Sequence, residues 1–257
     1  MKSILPWRWA RSNTDYNNPN SLGFKFRARR IQPLLRIIET VSSDRGHVKI
    51  IDIGGSENYW DLIPEGFLAK NKVSITIVNL PCSSPPVDHG PFRFTWADAC
   101  DLSNFQTDEF HIAHSNSVVE HVGDWSRMKS FAGELTRVAE FYFVQTPSIW
   151  FPIEPHAVVP FFHWLPEPAR VWFLKSMRVG KWKKVSSVSR AVETVQSVQL
   201  LSFGMLTDLF PAAMIKVERV CGLPKSYVAT VGPLTDIPGP KSSSCRNQHD
   251  KSVESSG

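Results

Sequence analysis

Apolar and polar positions alternate between two rhythms along most of the chain. From Phe24 to Val41 the apolar residues Ile31, Leu34, Leu35, Ile37 and Ile38 recur at helical spacing and predict one helix. A continuous apolar run, Val48-Lys49-Ile50-Ile51-Asp52-Ile53, reads as a buried strand stopped by Gly54-Gly55. Strand-like runs return at Val73–Val78, more weakly at Phe92–Trp96, at Phe110–His114 and at Phe141–Gln145, with a helix carrying Phe131, Leu135 and Val138 before the last. A helical stretch over Val195–Phe210 follows. Two closing strands near Lys216–Val220 and Tyr227–Val231 are joined through Gly222-Leu223-Pro224. Strands alternating with helices need crossover connections, so a mainly parallel sheet is expected, with helices on both faces. Such sheets bind ligands beyond the carboxyl ends of the strands, where strand order reverses.

Three segments fall outside that rhythm. Residues 1–21 are polar and Asn-rich, an arm preceding the domain that spans 22–235. Residues 148–189 form an insertion rich in Pro and Trp (Trp150, Trp164, Trp172, Trp182). From Asp236 to Gly257 the chain is Ser-, Lys- and Gly-rich with hardly anything to bury, and disorder is expected there.

Composition narrows the class. With 257 residues, 42% hydrophobic and 21% charged, the chain can bury a core without a disulfide or metal staple. The four cysteines are dispersed without a C-x-x-C pair, as in reduced cytosolic proteins. No apolar run approaches the roughly 20 residues of a membrane-spanning helix, and the start lacks a signal-peptide core, so cytoplasmic residence is expected. The net charge of +5 is uneven: residues 168–192 hold seven basic residues and no acidic one. That stretch suits an anionic neighbour at the inner membrane face, a phosphate-bearing substrate or nucleic acid; the plainer reading is a solvated helix face. No recognisable nucleic-acid module appears, and no nucleic acid is expected as partner.

Polar residues gather where four of the strands end. Gly54-Gly55-Ser56 directly after a buried strand permits a tight turn and close backbone approach to a ligand. Asp52, two residues before the glycines, points to a cationic or amine-bearing ligand. Asn79-Leu80 ends the second strand, where nucleotide folds place a ribose-hydroxyl partner. Asp98-Ala99 follows the third, with a carboxylate suited to an exocyclic amine of adenine. His114-Ser115-Asn116-Ser117-Val118-Val119-Glu120-His121 closes the fourth.

With these residues in place, the sequence from about Phe24 to Val231 resembles class I S-adenosylmethionine-dependent methyltransferases. Asp52, Gly54 and Gly55 match the start of that family's V-L-D-x-G-x-G-x-G, while Ser56 and Asn58 replace later glycines. Residues 111–121 match D-x-V-x-S-x-x-V-L-E-H of the methyltransferase-11-like group at Ser115, Glu120 and His121, with Asn116 alongside. Asn79 stands where the family has an acidic residue. Gln145-Thr146-Pro147 and Phe151-Pro152-Ile153-Glu154-Pro155-His156 are similar to a bacterial subgroup associated with surface-polysaccharide assembly. The resemblance implies a Rossmann-like, seven-stranded α/β fold and S-adenosylmethionine as cofactor. It places Asp52, Gly54, Gly55, Ser56, Asn79, Leu80, Asp98, Ala99, Ser115 and Asn116 around that cofactor.

The implied reaction is methyl transfer to a small-molecule, glycan or glycolipid acceptor. Aligning acceptor and methyl carbon in a dry pocket can supply up to roughly 7–11 kcal/mol of the barrier reduction. A hydroxyl acceptor also needs a base; His121 and His156 are the candidates, with Glu154 as orienting partner. No metal is expected. Two other readings compete: a binding or regulatory protein that keeps the fold without turnover, favoured by the incomplete glycine pattern and Asn79, and a nicotinamide-dependent oxidoreductase, disfavoured because G-x-G-x-x-G is missing.

Overall fold

The computed structural model describes residues 22–81 and 87–233. The expected arm 1–21 and tail 236–257 lie outside these. The helix expected over 24–41 is two, α1 (Leu22–Arg30) and α2 (Gln32–Arg45), because Pro33 has no N–H to continue the ladder. Gly46, at φ +73°, ends α2 by donating its N–H to the Ser42 carbonyl.

Beyond α2 the order is β1 (Val48–Ile53), α3 (Glu57–Trp60), α4 (Phe67–Lys70), β2 (Val73–Asn79), β3 (Phe92–Trp96), β4 (Phe110–Asn116), α5 (Trp125–Val138) and β5 (Ala139–Pro147). It continues with α6 (Glu167–Ser176), α7 (Val188–Gln196), α8 (Phe203–Leu209), β6 (Met214–Val220) and β7 (Leu223–Val231). The strands form one seven-stranded sheet, ordered β3-β2-β1-β4-β5-β7-β6. All pairings are parallel except those of β7, which runs antiparallel to β5 and β6. Strand order reverses between β1 and β4, and sheets of this kind bind ligands outside the carboxyl ends of the strands at that point.

The β6–β7 turn is tighter than expected. Cys221 and Gly222, at φ 50° and 80°, make the two-residue reversal, and Leu223 and Pro224 already belong to β7. Pro224 is tolerated because pairing with β5 starts only at Ser226.

Alternation along β1 sorts its side chains between two cores. Ile51 and Ile53 face the layer of α5 and α8, with Phe131, Leu135, Leu206 and Phe210. Val48 and Ile50 face α2 and α3, with Leu34, Ile38 and Trp60. Asp52 shares the parity of Ile50, so its carboxylate is carried into the side occupied by Trp60. The insertion has its own small core of Ala157, Phe162, Leu174, Val179, Ala191 and Val195, and so runs through α7. The helix expected over 195–210 is therefore split. Ile149 N–H bonds the Leu201 carbonyl, which holds that part of the connection extended, and Ser202 then caps α8 by accepting from Met205 N–H.

Candidate active site at the carboxyl ends of the strands

Parallel register brings the expected residues level. Asp52 lies opposite His114, Ile53 opposite Val78, and Asn79 opposite Trp96, so the ends of β1, β2, β3 and β4 form one edge. Gly54 sits at φ +70°, and any Cβ there would fall 2.6 Å from a Val118 methyl. A Cβ on Gly55 would fall 1.9 Å from a carboxylate oxygen of Asp52. Both glycines are therefore demanded by close packing, one from β4's loop and one from within β1. Asn79 fastens the same loop, donating from Nδ2 to the Gly55 carbonyl at 3.0 Å. Ser115 ties β4 to β1 by donating to the Ile53 carbonyl.

The Asp52 carboxylate is turned inward. It is wholly buried, accepts from Trp60 Nε1 at 2.8 Å and lies 2.6 Å from His114 Nδ1. It thus stiffens the loop from beneath, where the sequence suggested a direct contact with an amine. Asp98 accepts two bonds from one Arg127 nitrogen, at 2.9 and 2.7 Å, and one from Cys100 N–H. The Arg127 bonds are the main reason its carboxyl is held below the usual range. Ala99 lies between these partners, Leu80 is exposed, and Ser56 begins α3 without a side-chain cap bond. Asn116 Oδ1 is buried without a partner among the described residues. Arg30 donates to Glu218 and Ser226.

Forty residues on from Asn116, the insertion returns to this edge. His121 ends a short 3-10 turn after β4, and His156 lies on the insertion's loop; their Nε2 atoms are 3.0 Å apart with the rings nearly perpendicular. His121 Nδ1 lies 2.9 Å from the Ser197 carbonyl, and His156 Nδ1 lies 2.9 Å from Glu154 Oε2. A carbonyl or an ionised carboxylate only accepts, so both Nδ1 atoms carry hydrogen and both Nε2 lone pairs face each other. Such a contact closes only with a cation between the nitrogens. One proton shared between the two nitrogens satisfies both rings.

The surroundings act on that charge in opposite directions. Burial acts to raise the Glu154 carboxyl, but bonds from the His156 ring and from the Ala157 and His156 amides outweigh it and hold the carboxyl low. Burial pushes His121 down, opposed by the Ser197 carbonyl. Glu120, beside His121 but wholly buried, is pushed up from 4.5 to about 7 by burial. Thr146 Oγ1 donates to its Oε2, while its Oε1 has no partner among the described residues.

Sequence reasoning paired His121, His156 and Glu154 as candidates but missed Arg127, Trp60 and the Ser197 carbonyl. Their positions come from α5, α3 and the end of α7, and no local motif announces them. A hollow of about 780 Å³ lies elsewhere, between α3–α4 and the start of β2, lined by Trp60, Ile63, Leu68 and Pro91. Its lining contains no histidine or cysteine.

No family model and no curated protein matches the chain. Solved structures do. A SAM-dependent methyltransferase from Methanosarcina mazei superposes with TM-score 0.43 and 14% identity, over 72% of this chain and 91% of that one. One from Archaeoglobus fulgidus gives 0.47 and 10%, over 80% and 93%. The CurJ carbon methyltransferase gives 0.50 and 7%, over 87% of this chain and 58% of its own. These likenesses are of fold.

Proposed function

We propose that the protein uses S-adenosylmethionine to methylate a hydroxyl oxygen of a small-molecule, glycan or glycolipid acceptor, with His121 and His156 as proton acceptor. The observation that carries this reading is the facing of two Nε2 lone pairs across 3.0 Å at the strand-end edge. The residues fit the cofactor in one respect: Asn116 keeps an unpartnered buried oxygen at the end of β4. Asn79, Asp98 and Asn116 are the side chains that would hold it. When bound, it supplies an electrophilic methyl group on a sulfonium, which leaves as a neutral thioether.

The chain's own part is to position the acceptor and take its proton. Without the bridging proton, His121 and His156 present two convergent acceptors. As the new C–O bond forms, the hydroxyl proton moves to these nitrogens and restores the bridged pair. Glu154, facing His156 Nδ1, offsets the resulting charge. Glu120 stays outside this exchange, bonded to Thr146 in the core.

Calorimetric titration with S-adenosylhomocysteine tests the cofactor, and methyl transfer from labelled S-adenosylmethionine to a panel of hydroxylated sugars and lipids tests the reaction. Binding is expected, with turnover falling about 10²–10⁴-fold in His121→Ala and His156→Ala while affinity for S-adenosylhomocysteine changes little. Absence of binding even at millimolar ligand defeats the reading. Turnover unaffected by either histidine variant removes them as the base.

A further inference from the structure

We propose that the insertion is an interfacial platform that docks the protein on an anionic lipid bilayer; this stands apart from the methyl-transfer reading. The insertion puts large apolar side chains into solvent while its own core stays small. Trp150, Phe161, Trp164 and Trp172 are 57%, 53%, 46% and 60% exposed.

Two of these rings touch, and a third stands next in sequence to a residue that one of them bonds. Phe161 and Trp164 pack at 5.1 Å between centroids, and Trp164 Nε1 bonds the Ile149 carbonyl, next to Trp150. The Phe161 amide bonds the Pro152 carbonyl, and Ile153 pairs with Pro160. Phe161 holds φ +64°, left-handed, a costly conformation for an aromatic residue that nevertheless leaves its ring in solvent.

Positive charge borders the rings. Lys181 reaches the Pro155 carbonyl at 3.0 Å, two residues from Ile153, and Arg178 bonds the Gly180 carbonyl beside it. Arg178, Lys181, Lys183, Lys184 and Arg190 are exposed, and none forms an ion pair among the described residues. Amphipathic rings at the headgroup level with flanking cations match the chemistry of an anionic membrane interface. A single-stranded nucleic acid would also use rings and cations. The exposed aliphatic Ile153, Leu165 and Met177 add nothing to base stacking but do add to burial among acyl chains. No helix among the described residues is long and apolar enough to cross a membrane, so the attachment is to its surface.

Flotation of the full chain with phosphatidylcholine vesicles, with and without phosphatidylglycerol, tests the platform. Binding is expected to be about tenfold or more stronger on the anionic vesicles and to weaken as salt rises. Lys183→Glu with Lys184→Glu, and separately Trp150→Ser with Phe161→Ser, are each expected to cut vesicle binding about tenfold. Melting temperature and S-adenosylhomocysteine binding should not change, because these side chains lie outside the cores and the strand-end edge. No binding to anionic vesicles at low salt overturns the proposal. So does binding that the aromatic pair leaves unchanged, since charge alone would then account for it. Displacement of the vesicles by a single-stranded oligonucleotide, or rings covered in a homodimer that vesicles leave intact, overturns it too.

Discussion

Arg127 and Asp98 meet through two bonds, of 2.9 and 2.7 Å, made by a single guanidinium nitrogen. The carboxylate that the sequence offered to an adenine amine is thus already tied to the start of α5. Oδ1 already accepts from Arg127 and from the Cys100 amide, so of the about four bonds a carboxylate takes, the remaining one falls on Oδ2.

That arrangement separates binding from stability. Both side chains are well exposed, so their pairing adds under about 1 kcal/mol to the fold. Asp98→Ala is expected to weaken S-adenosylhomocysteine binding about tenfold, the value of one hydrogen bond to a charged group, with little change in melting temperature. Calorimetry beside thermal unfolding reads both. Unchanged affinity would move the adenine away from the end of β3.

The glycine loop makes a sharper demand. Gly55→Ala drives a methyl group into the Asp52 carboxylate, which Trp60 and His114 hold in place, so the clash cannot be relieved by a rotamer change. A loss of about 2–3 kcal/mol is expected in urea unfolding. Gly133→Ala, inside α5 with open space around its Cβ position, serves as the contrast and should gain about 0.5–1 kcal/mol.

Glu120 gives the fold a pH dependence of unusual sign. Its native carboxyl is raised from 4.5 to about 7, so between these values the unfolded chain has lost a proton that the native one keeps. Stability from this group is whole below 4.5 and falls as pH rises through 7. The full penalty is on the order of 3 kcal/mol above that range. Glu120→Gln is expected to be more stable than the parent above pH 7 and no more stable near pH 4. Urea midpoints measured across that range decide it, and a parallel pair of curves would disprove the shift.

The sheet was legible because its strands are short apolar runs closed by polar turns, and because crossover connections leave few topologies open. β1 and β3 fall where the apolar runs place them. Helix boundaries were less legible. Pro33 breaks the first helix after Ile31, and the pairing of Ser148 with Leu201 breaks the expected run over 195–210; the second depends on a contact between distant segments. In the site, local motifs marked Gly54, Gly55 and His121. The inward turn of Asp52 follows from strand parity, which was readable, but the presence of Trp60 and His114 to receive it depends on how α3 folds back over β1 and β4. The meeting of His121 with His156 likewise depends on the path of the insertion.

The histidine pair yields the last prediction. With Nδ1 held as donor on both rings, the nitrogen NMR spectrum of the pair at high pH should contain two protonated Nδ1 signals and two unprotonated Nε2 signals. At lower pH one proton enters between the Nε2 atoms, opposed at His121 by burial and favoured there by the Ser197 carbonyl and Glu154. The groups around it are Glu154 and Glu120, with Arg170 beyond Glu154 and Lys181 on the Pro155 carbonyl. Since the base-competent form lacks the bridging proton, kcat/KM should rise with pH along the limb that follows this titration. Glu154→Gln removes the negative charge facing His156, makes the bridging proton easier to lose and should move both the NMR transition and the rate limb to lower pH. A limb that stays in place, or an Nε2 signal that remains protonated on both rings at high pH, refutes the shared proton whether or not the protein transfers methyl groups.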